Sequence, residues 1–265
     1  MLLLAALVFT SLGFLHFPDE VGLGPMSAVA VHPSGDIYVL HRGTKPLVVF
    51  DKNHKFKQAF GEGLYKVAHG LRIDKQGNIW TTDNQTNVIR KFSPDGKILT
   101  EINEGFKSPD DIVFSSTGEM FVADAGNARI VKLSADGKIL KTWGKKGKAD
   151  GEFALAHSMT IDSRDHIYIG DRGNNRVQVF DTDGKHLASF TDVGNPFGVM
   201  VMGQELLSSE GEQHKIYHTS LDGKPLGSWG SPEVLQLPHI MSFDKQGTLY
   251  VAEVNGKRVQ MFKRK

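Results

Sequence analysis

Three histidines of this sequence are spaced so that they could bind one metal ion. His69, His157 and His239 are separated by 88 and 82 residues, and each stands five residues before an aspartate that follows an apolar segment. Three imidazole nitrogens suit zinc and leave a fourth coordination position open for water or a substrate. Copper and nickel also accept imidazole ligands. The pattern therefore predicts a divalent metal site, with zinc as the preferred metal.

The composition limits the other ligands and partners. The chain of 265 residues has no cysteine, so neither thiolate ligands nor disulfides are available. Its 31 Lys and Arg residues are balanced by 30 Asp and Glu residues. This balance provides no broad attraction for nucleic acid or for an anionic membrane. We therefore expect no nucleic-acid partner and a small or locally recognised ligand.

A repeat of roughly 40 residues supplies the elements that would position the histidines. Each unit has an apolar strand that ends in Asp or an equivalent residue, a glycine turn, a second strand that ends at an acidic position, and a third apolar strand. Period-two alternation and turn residues mark these strands as antiparallel. Six units can be aligned. The sequence therefore predicts an all-β fold, a six-bladed β-propeller that forms a single domain over residues 18–265.

One aligned position, at the entry to the innermost strand, carries the histidines. Its occupants on blades one to six are Ser27, His69, Asp110, His157, Phe197 and His239. Alternate blades of a six-bladed ring are related by about 120°, so side chains from every second blade converge on the axis. The register predicts one axial site with three histidine ligands. Among the other histidines, His41 stands apart because it replaces the acidic residue of its blade near the channel.

The first 17 residues, MLLLAALVFTSLGFLHF, form an apolar segment with two interpretations. The preferred one is an export signal, with Ser11-Leu12-Gly13 as the cleavage candidate, which makes the protein secreted or periplasmic. No Lys or Arg precedes the segment, so a cytoplasmic location stays open. Alternatively, the segment supplies the outer strand of the sixth blade, because the sixth unit ends after its third strand. No other membrane segment is expected.

The repeat resembles the NHL repeat family. Its signature reads DAGNARI from Asp124 and DRGNNRV from Asp171. We expect the acidic and arginine side chains of this motif to tie strands and blades together, because buried charges are usually paired. The positions that depart from the signature are Val88 and Lys215 in place of Arg, and His41, Glu210 and Glu253 in place of Asp.

The segments around the histidines resemble peptidyl-α-hydroxyglycine α-amidating lyase. They read AHGL from residue 68, AHSM from residue 156 and PHIM from residue 238, and HRG from His41 is also similar to that family. The resemblance implies zinc on the three histidines, with Arg42 and Arg172 near the substrate. It implies cleavage of a C-terminal α-hydroxyglycine to an amide and glyoxylate. The alternative for the two arginines is ion pairing with the acidic residues Asp83, Asp124, Glu210 and Glu253.

The sequence departs from that family at the catalytic base and at a second metal. The family's tyrosine falls where this chain reads Asp124-Ala-Gly-Asn127, so Tyr65 and Asp110 are the substitute candidates. Their structural alternatives are a packed loop residue for Tyr65 and a turn cap for Asp110. The resemblance also implies a structural calcium at the backbone oxygens of Val29 and Leu71. It is disfavoured because Ile240 replaces the family's calcium-binding Asp. A further departure is Leu237, which replaces the Met that supports the last histidine in the family.

Three functions follow from these patterns. The first is a zinc-dependent carbon-nitrogen lyase, acting as a monomer on a small molecule or a peptide C-terminus. The second is a noncatalytic propeller that the metal stabilises and whose loops bind a protein or a glycan. The third is a lactonase-like hydrolase. It is disfavoured because the lactonase families look to be built around carboxylate and Asn ligands for calcium, whereas this axis presents imidazoles.

Overall fold

The computed structural model describes residues 9–264, which form 24 strands in six four-stranded antiparallel sheets. The innermost strands of these sheets contact one another in a closed circle, in the order β2, β6, β10, β14, β18 and β22. The all-β, six-bladed propeller expected from the repeats is therefore confirmed. Within the described residues, no helix has the length and apolar character that a membrane crossing requires.

Each blade begins at the axis and ends at the rim. Blade one consists of β2 (Met26–Val31), β3 (Ile37–His41), β4 (Leu47–Phe50) and β5 (Phe56–Phe60). Blade two consists of β6 (Ala68–Ile73), β7 (Ile79–Asp83), β8 (Val88–Phe92) and β9 (Ile98–Ile102). Blade three consists of β10 (Pro109–Phe114), β11 (Met120–Asp124), β12 (Arg129–Leu133) and β13 (Ile139–Trp143). Blade four consists of β14 (Ala156–Ile161), β15 (Ile167–Asp171), β16 (Arg176–Phe180) and β17 (His186–Phe190). Blade five consists of β18 (Pro196–Met202), β19 (Glu205–Glu210), β20 (Lys215–Ser220) and β21 (Pro225–Trp229).

The sixth blade combines both ends of the described chain. It contains β22 (Pro238–Phe243), β23 (Thr248–Glu253), β24 (Arg258–Arg264) and β1 (Phe9–Phe14). β1 pairs antiparallel with β24, with a bulge between Ser11 and Gly13. The expected closing strand is confirmed. Residues 1–8 lie outside the described residues, so export remains a prediction, and the candidate cleavage segment lies inside β1.

Packing between blades explains why the strands are apolar on both faces. Six clusters of buried apolar side chains lie among the described residues, and each joins neighbouring blades. The outer strands β9 and β13 are instead largely exposed. The hairpin between β6 and β7 is closed by Asp74, whose carboxylate accepts hydrogen bonds from the backbone N–H groups of Gln76 and Asn78. Gly77 in this turn adopts a φ of +85°.

Acidic side chains at the ends of the second strands fix the segment that enters the inner strand of the same blade. Asp83 accepts hydrogen bonds from the backbone N–H groups of Lys66 and Val67, which lie just before β6. Asp171 accepts from Ala154 and Leu155 in the same way before β14. These bonds hold the chain two or three residues ahead of a histidine, and the expectation that the acidic residues tie strands together is confirmed.

His41 performs this task in the first blade. Its Nδ1 accepts hydrogen bonds from the backbone N–H groups of Gly24 and Gly43. Burial lowers the pKa of His41 to about 4, so the ring stays neutral and keeps the lone pair that both donors need. The replacement of Asp by His at this position is therefore structural.

Deleting β1 tests the closure of the ring. Removal of residues 1–14 leaves the backbone of β24 as an unpaired edge, which favours association between chains. We expect a Tm lower by roughly 10 °C, or about 3 kcal/mol, together with oligomers in light scattering. Removal of residues 1–8 is the matched control and leaves every described strand in place. Equal Tm and dispersity in both truncations would contradict the assigned closure.

Candidate metal centre

The structure brings His69, His157 and His239 together on the axis. Their candidate ligand atoms all lie within 4.8 Å of one another. The ring centroids are separated by 4.7, 5.1 and 5.1 Å, and all three side chains are buried. The histidines enter from β6, β14 and β22, which are alternate inner strands. The convergence expected from the repeat register is therefore observed.

Each of the three imidazoles is oriented by the following blade. Nδ1 of His69 lies 2.8 Å from the carbonyl oxygen of Asp110, and Nδ1 of His157 lies 2.8 Å from that of Phe197. Nδ1 of His239 lies 2.5 Å from the carbonyl oxygen of Ser27. A carbonyl oxygen only accepts, so each Nδ1 carries the proton and each Nε2 keeps a free lone pair. All three acceptors occupy the same register position as the histidines.

Burial keeps His157 and His239 in the neutral form that binds metals. Desolvation lowers the pKa of His157 and His239 well below the usual value, and repulsion from the neighbouring imidazoles lowers it further. Neutral rings compete less with protons for a metal ion. Three imidazole nitrogens within 4.8 Å of one another are a donor set that zinc accepts together with one further ligand. The three donors therefore fit a divalent metal such as zinc.

A cavity of about 520 Å³ lies over the three histidines. Arg42, Arg172 and Asp110 line it, as do Asn84 and Phe197. It contains two cationic side chains and one carboxyl group beside the candidate metal site. Of the seven side chains selected from the sequence, all except Tyr65 line this cavity.

The two arginines are held by polar groups that leave them facing the cavity. Arg42 Nε donates to the carbonyl oxygen of Ala68 at 3.1 Å. Arg172 Nε donates to Asn195 Oδ1 at 3.2 Å, and its Nη2 lies 3.7 Å from Glu212 Oε1. Within residues 9–264, neither arginine forms an ion pair with the acidic residues of the repeat motif. The ion-pairing alternative for Arg42 and Arg172 is therefore wrong for Asp83, Asp124, Glu210 and Glu253.

Asp110 is a buried carboxyl group in the wall of the cavity. It is 4% exposed, and Asn84 Nδ2 donates to its Oδ1 at 3.0 Å. Desolvation raises the pKa of Asp110, although His69, Asn84 and Arg42 act in the opposite direction. The side chain of Asp110 caps no turn, and its carbonyl oxygen supports His69. The structure thus places a carboxyl group where a proton acceptor could serve.

Tyr65 does not lie at this site. Its hydroxyl is hydrogen-bonded to Thr81 Oγ1 at 2.8 Å, and the ring packs against a core cluster between blades one and two. Burial raises the pKa of Tyr65 beyond its usual value, which further disfavours the phenolate. Ala125 and Gly126 line the cavity on the third blade and supply no phenol. Tyr65 is therefore the packing residue of the two alternatives.

A structural calcium does not fit the opposite side of the histidines. Arg72 Nη1 donates to the carbonyl oxygen of Leu71 at 3.4 Å, so a cation already faces that oxygen. Arg72 Nη2 also donates to Asp111 Oδ2 at 2.5 Å and to the carbonyl oxygen of Met159 at 2.7 Å. Ile240 is fully buried in the core and offers no carboxylate. The Arg72 guanidinium therefore joins blades two, three and four at the place where the family resemblance implies calcium.

Several residues of the site were not assigned a role by sequence reasoning. Phe197 was recognised only as an occupant of the histidine register, yet its ring lies under the Arg172 guanidinium. Asn84 and Asn195 orient Asp110 and Arg172, and both lie in loops without a distinctive motif. Arg72 directly follows Leu71, and only its position three residues after His69 marks it in the sequence as a residue near the site.

Comparisons with known proteins agree with this geometry. The NHL repeat family matches residues 153–180. The chain is 28% identical to peptidyl-alpha-hydroxyglycine alpha-amidating lyase 2 of Drosophila melanogaster, over 94% of this chain and 74% of the relative. The chain carries an NHL repeat and is similar to the amidating lyases. The similarity to these lyases and the propeller fold were both expected from the sequence.

Further relatives share part of the sequence, and solved structures share the fold. Peptidylglycine alpha-amidating monooxygenase of Rattus norvegicus is 27% identical over 52% of this chain, and the match spans only 18% of that relative. NHL repeat-containing protein 3 of Mus musculus is 29% identical over 92% of this chain and 81% of the relative. A streptogramin B lyase structure superposes with a TM-score of 0.72 at 16% identity, covering 97% of this chain and 98% of that chain. A Xanthomonas campestris gluconolactonase superposes with a TM-score of 0.72 at 14% identity, covering 99% and 91%. These two structures support the fold alone.

Substitution of one histidine tests the metal centre. Elemental analysis of wild-type protein should give one equivalent of zinc and no calcium. His157→Ala should weaken zinc binding by more than about 100-fold, because two imidazoles no longer define a tetrahedral face. At a free zinc concentration of 100 times the Kd, the wild-type Tm should rise by about 5 to 10 °C and that of the variant should not.

The control for this experiment is His186→Ala, which removes a half-buried imidazole from the outer strand β17. It should keep the full zinc equivalent and the zinc-dependent rise in Tm. Retention of zinc by a folded His157→Ala protein would contradict the site.

Proposed function

We propose that this protein is a zinc-dependent lyase that cleaves the carbon-nitrogen bond of an N-substituted α-hydroxyglycine, giving an amide and glyoxylate. The observation that carries the proposal is the convergence of three buried imidazoles beside two arginines and a buried carboxyl group. Sequence similarity to an amidating lyase over 94% of the chain favours the same chemistry. The substrate is a small molecule or a peptide C-terminus.

The substrate carboxylate would be bound by arginine. Arg42 and Arg172 project from blades one and four, which face each other across a six-bladed ring. A guanidinium group pairs with a carboxylate through two parallel N–H donors, which fixes orientation as well as charge. The Nε of each arginine is already engaged by Ala68 or Asn195, so the terminal nitrogens remain for the substrate.

The proton of the substrate hydroxyl would pass to Asp110. When zinc is bound, it polarises the hydroxyl and lowers its pKa. Asp110 accepts the proton, the hydroxyl carbon becomes the aldehyde carbon of glyoxylate, and the carbon-nitrogen bonding pair leaves with the nitrogen, which then takes the proton from Asp110 to form the amide. A carboxyl group whose pKa is raised by burial is a stronger base when ionised. Asn84 holds one oxygen of this group in place.

Two further functions are the alternatives. One is a noncatalytic propeller that binds a protein or a glycan, and the 29% identity to NHL repeat-containing protein 3 over 92% of the chain assigns no reaction. The similarity to a gluconolactonase structure concerns the fold. Histidine ligands on the axis favour the lyase over the lactonase-like hydrolase. We also propose that the protein acts as a monomer outside the cytoplasm, with no nucleic-acid partner.

Release of glyoxylate tests the lyase directly. Zinc-loaded protein incubated with an N-benzoyl-α-hydroxyglycine should release glyoxylate and benzamide in equal amounts. Asp110→Asn should lower kcat by about 100-fold or more, because the amide cannot accept the proton. It keeps an oxygen for Asn84 and should bind zinc normally.

The matched control is Tyr65→Phe, which removes the competing candidate base. Its kcat should stay within about threefold of the wild type, because the hydroxyl contacts Thr81 away from the cavity. No glyoxylate from the fully zinc-loaded wild type would remove the lyase proposal. A larger loss in Tyr65→Phe than in Asp110→Asn would remove the role of Asp110.

A further inference from the structure

We propose that Phe197 and Asn195 hold Arg172 as a preformed carboxylate receptor, and that Glu212 occupies this receptor until a substrate carboxylate displaces it. The inference rests on the proposed lyase function and deepens it. It assigns Phe197 and Asn195 as positioning residues and Glu212 as an exchangeable counter-ion.

The orientation of Arg172 is determined by two contacts. The guanidinium carbon lies 3.5 Å from the centroid of the Phe197 ring, and Nε donates to Asn195 Oδ1 at 3.2 Å. A cation over an aromatic face is attracted by the ring quadrupole, more strongly where water is excluded. Phe197 is 5% exposed, so the stacked face is dry. One face and one edge of the guanidinium are therefore fixed, and the terminal nitrogens are left for a ligand.

Phe197 also connects this receptor to the metal site. Its carbonyl oxygen accepts the hydrogen bond from His157 Nδ1 at 2.8 Å. Its ring centroid lies 6.0 Å from that of His157 and 6.2 Å from that of His239. The same residue thus supports a candidate metal ligand with its backbone and an arginine with its side chain. Phe197 consequently fixes the position of the Arg172 guanidinium relative to the His157 imidazole.

Glu212 is suited to leave. Its Oε1 lies 3.7 Å from Arg172 Nη2, and its side chain is 68% exposed. A pair of this length lacks a direct hydrogen bond, and exposed ion pairs contribute little free energy. A substrate carboxylate can instead form two short parallel bonds to the guanidinium. By contrast, the neighbouring Glu210 is buried and accepts from the backbone of Gln213, so it is not exchangeable.

Glyoxylate binding to the zinc-loaded protein separates the two roles. Calorimetry at low ionic strength should show that Phe197→Leu raises the Kd for glyoxylate about tenfold, because the aromatic face is lost. Phe197→Tyr keeps the ring and should stay within about twofold. Glu212→Gln should lower the Kd about threefold, and this gain should shrink at high salt. In turnover, KM should follow the same order while kcat changes less.

Controls keep the outcome specific to Arg172. Glu101→Gln removes another exposed carboxylate, which pairs with the buried Arg90 of blade two, and should leave the Kd unchanged. All variants should retain one equivalent of zinc. The NMR signal of the Arg172 Nε–H should be rigid in the wild type and in Phe197→Tyr, and mobile in Phe197→Leu.

The possible failures can be distinguished. If glyoxylate binds with the expected order of Kd but no substrate is cleaved, the receptor stands and the lyase function fails. If substrate is cleaved but Phe197→Leu and Glu212→Gln leave both Kd and KM unchanged, the lyase stands and the receptor is overturned. If the wild type neither binds glyoxylate nor cleaves substrate, both are overturned.

Discussion

The hydrogen bond from each axial histidine to the next blade is the constraint on which the rest of the structure depends. His69 binds to blade three, His157 to blade five and His239 to blade one. The three bonds therefore connect all six blades in pairs, and the bond from His239 joins the sixth blade to the first. They fix the imidazole tautomers at the same time. An ion held by the three Nε2 atoms would link the pairs to one another, so metal binding and ring stability are coupled.

The acidic residues of the repeat help to position the axial histidines without contacting them. Asp83, Asp171 and Glu253 bind the backbone just before β6, β14 and β22, and so set where each histidine enters the channel. Beneath the histidines, Arg72 supplies a fixed positive charge between three blades. Charged groups that belong to the fold are thereby separated from those that face the cavity. Arg42, Arg172 and Asp110 remain for a ligand.

The fold and the histidine cluster could be predicted from the sequence because both follow from a repeat. A period of roughly 40 residues defines the blades, and a shared register converts sequence spacing into a position on the axis. The same logic placed Asp110 and Phe197 beside the histidines. It also applies to Tyr65, because the position four residues before the register residue is a buried apolar one on blades three to six, occupied by Phe106, Phe153, Val193 and Leu235. It could not give the contacts of Arg172 with Phe197 and Asn195. Those contacts depend on loop conformation and on residues from different blades, which a single sequence does not pair.

The central claim is that three imidazoles from alternate blades bind one metal ion on the axis. Zinc K-edge X-ray absorption of the zinc-loaded protein tests it most directly, because it reports the ligand shell without requiring any activity. The account predicts three nitrogen ligands at about 2.0 to 2.1 Å with imidazole outer shells, and one further light ligand. A shell of oxygen ligands alone, or one with fewer than three imidazoles, would contradict it.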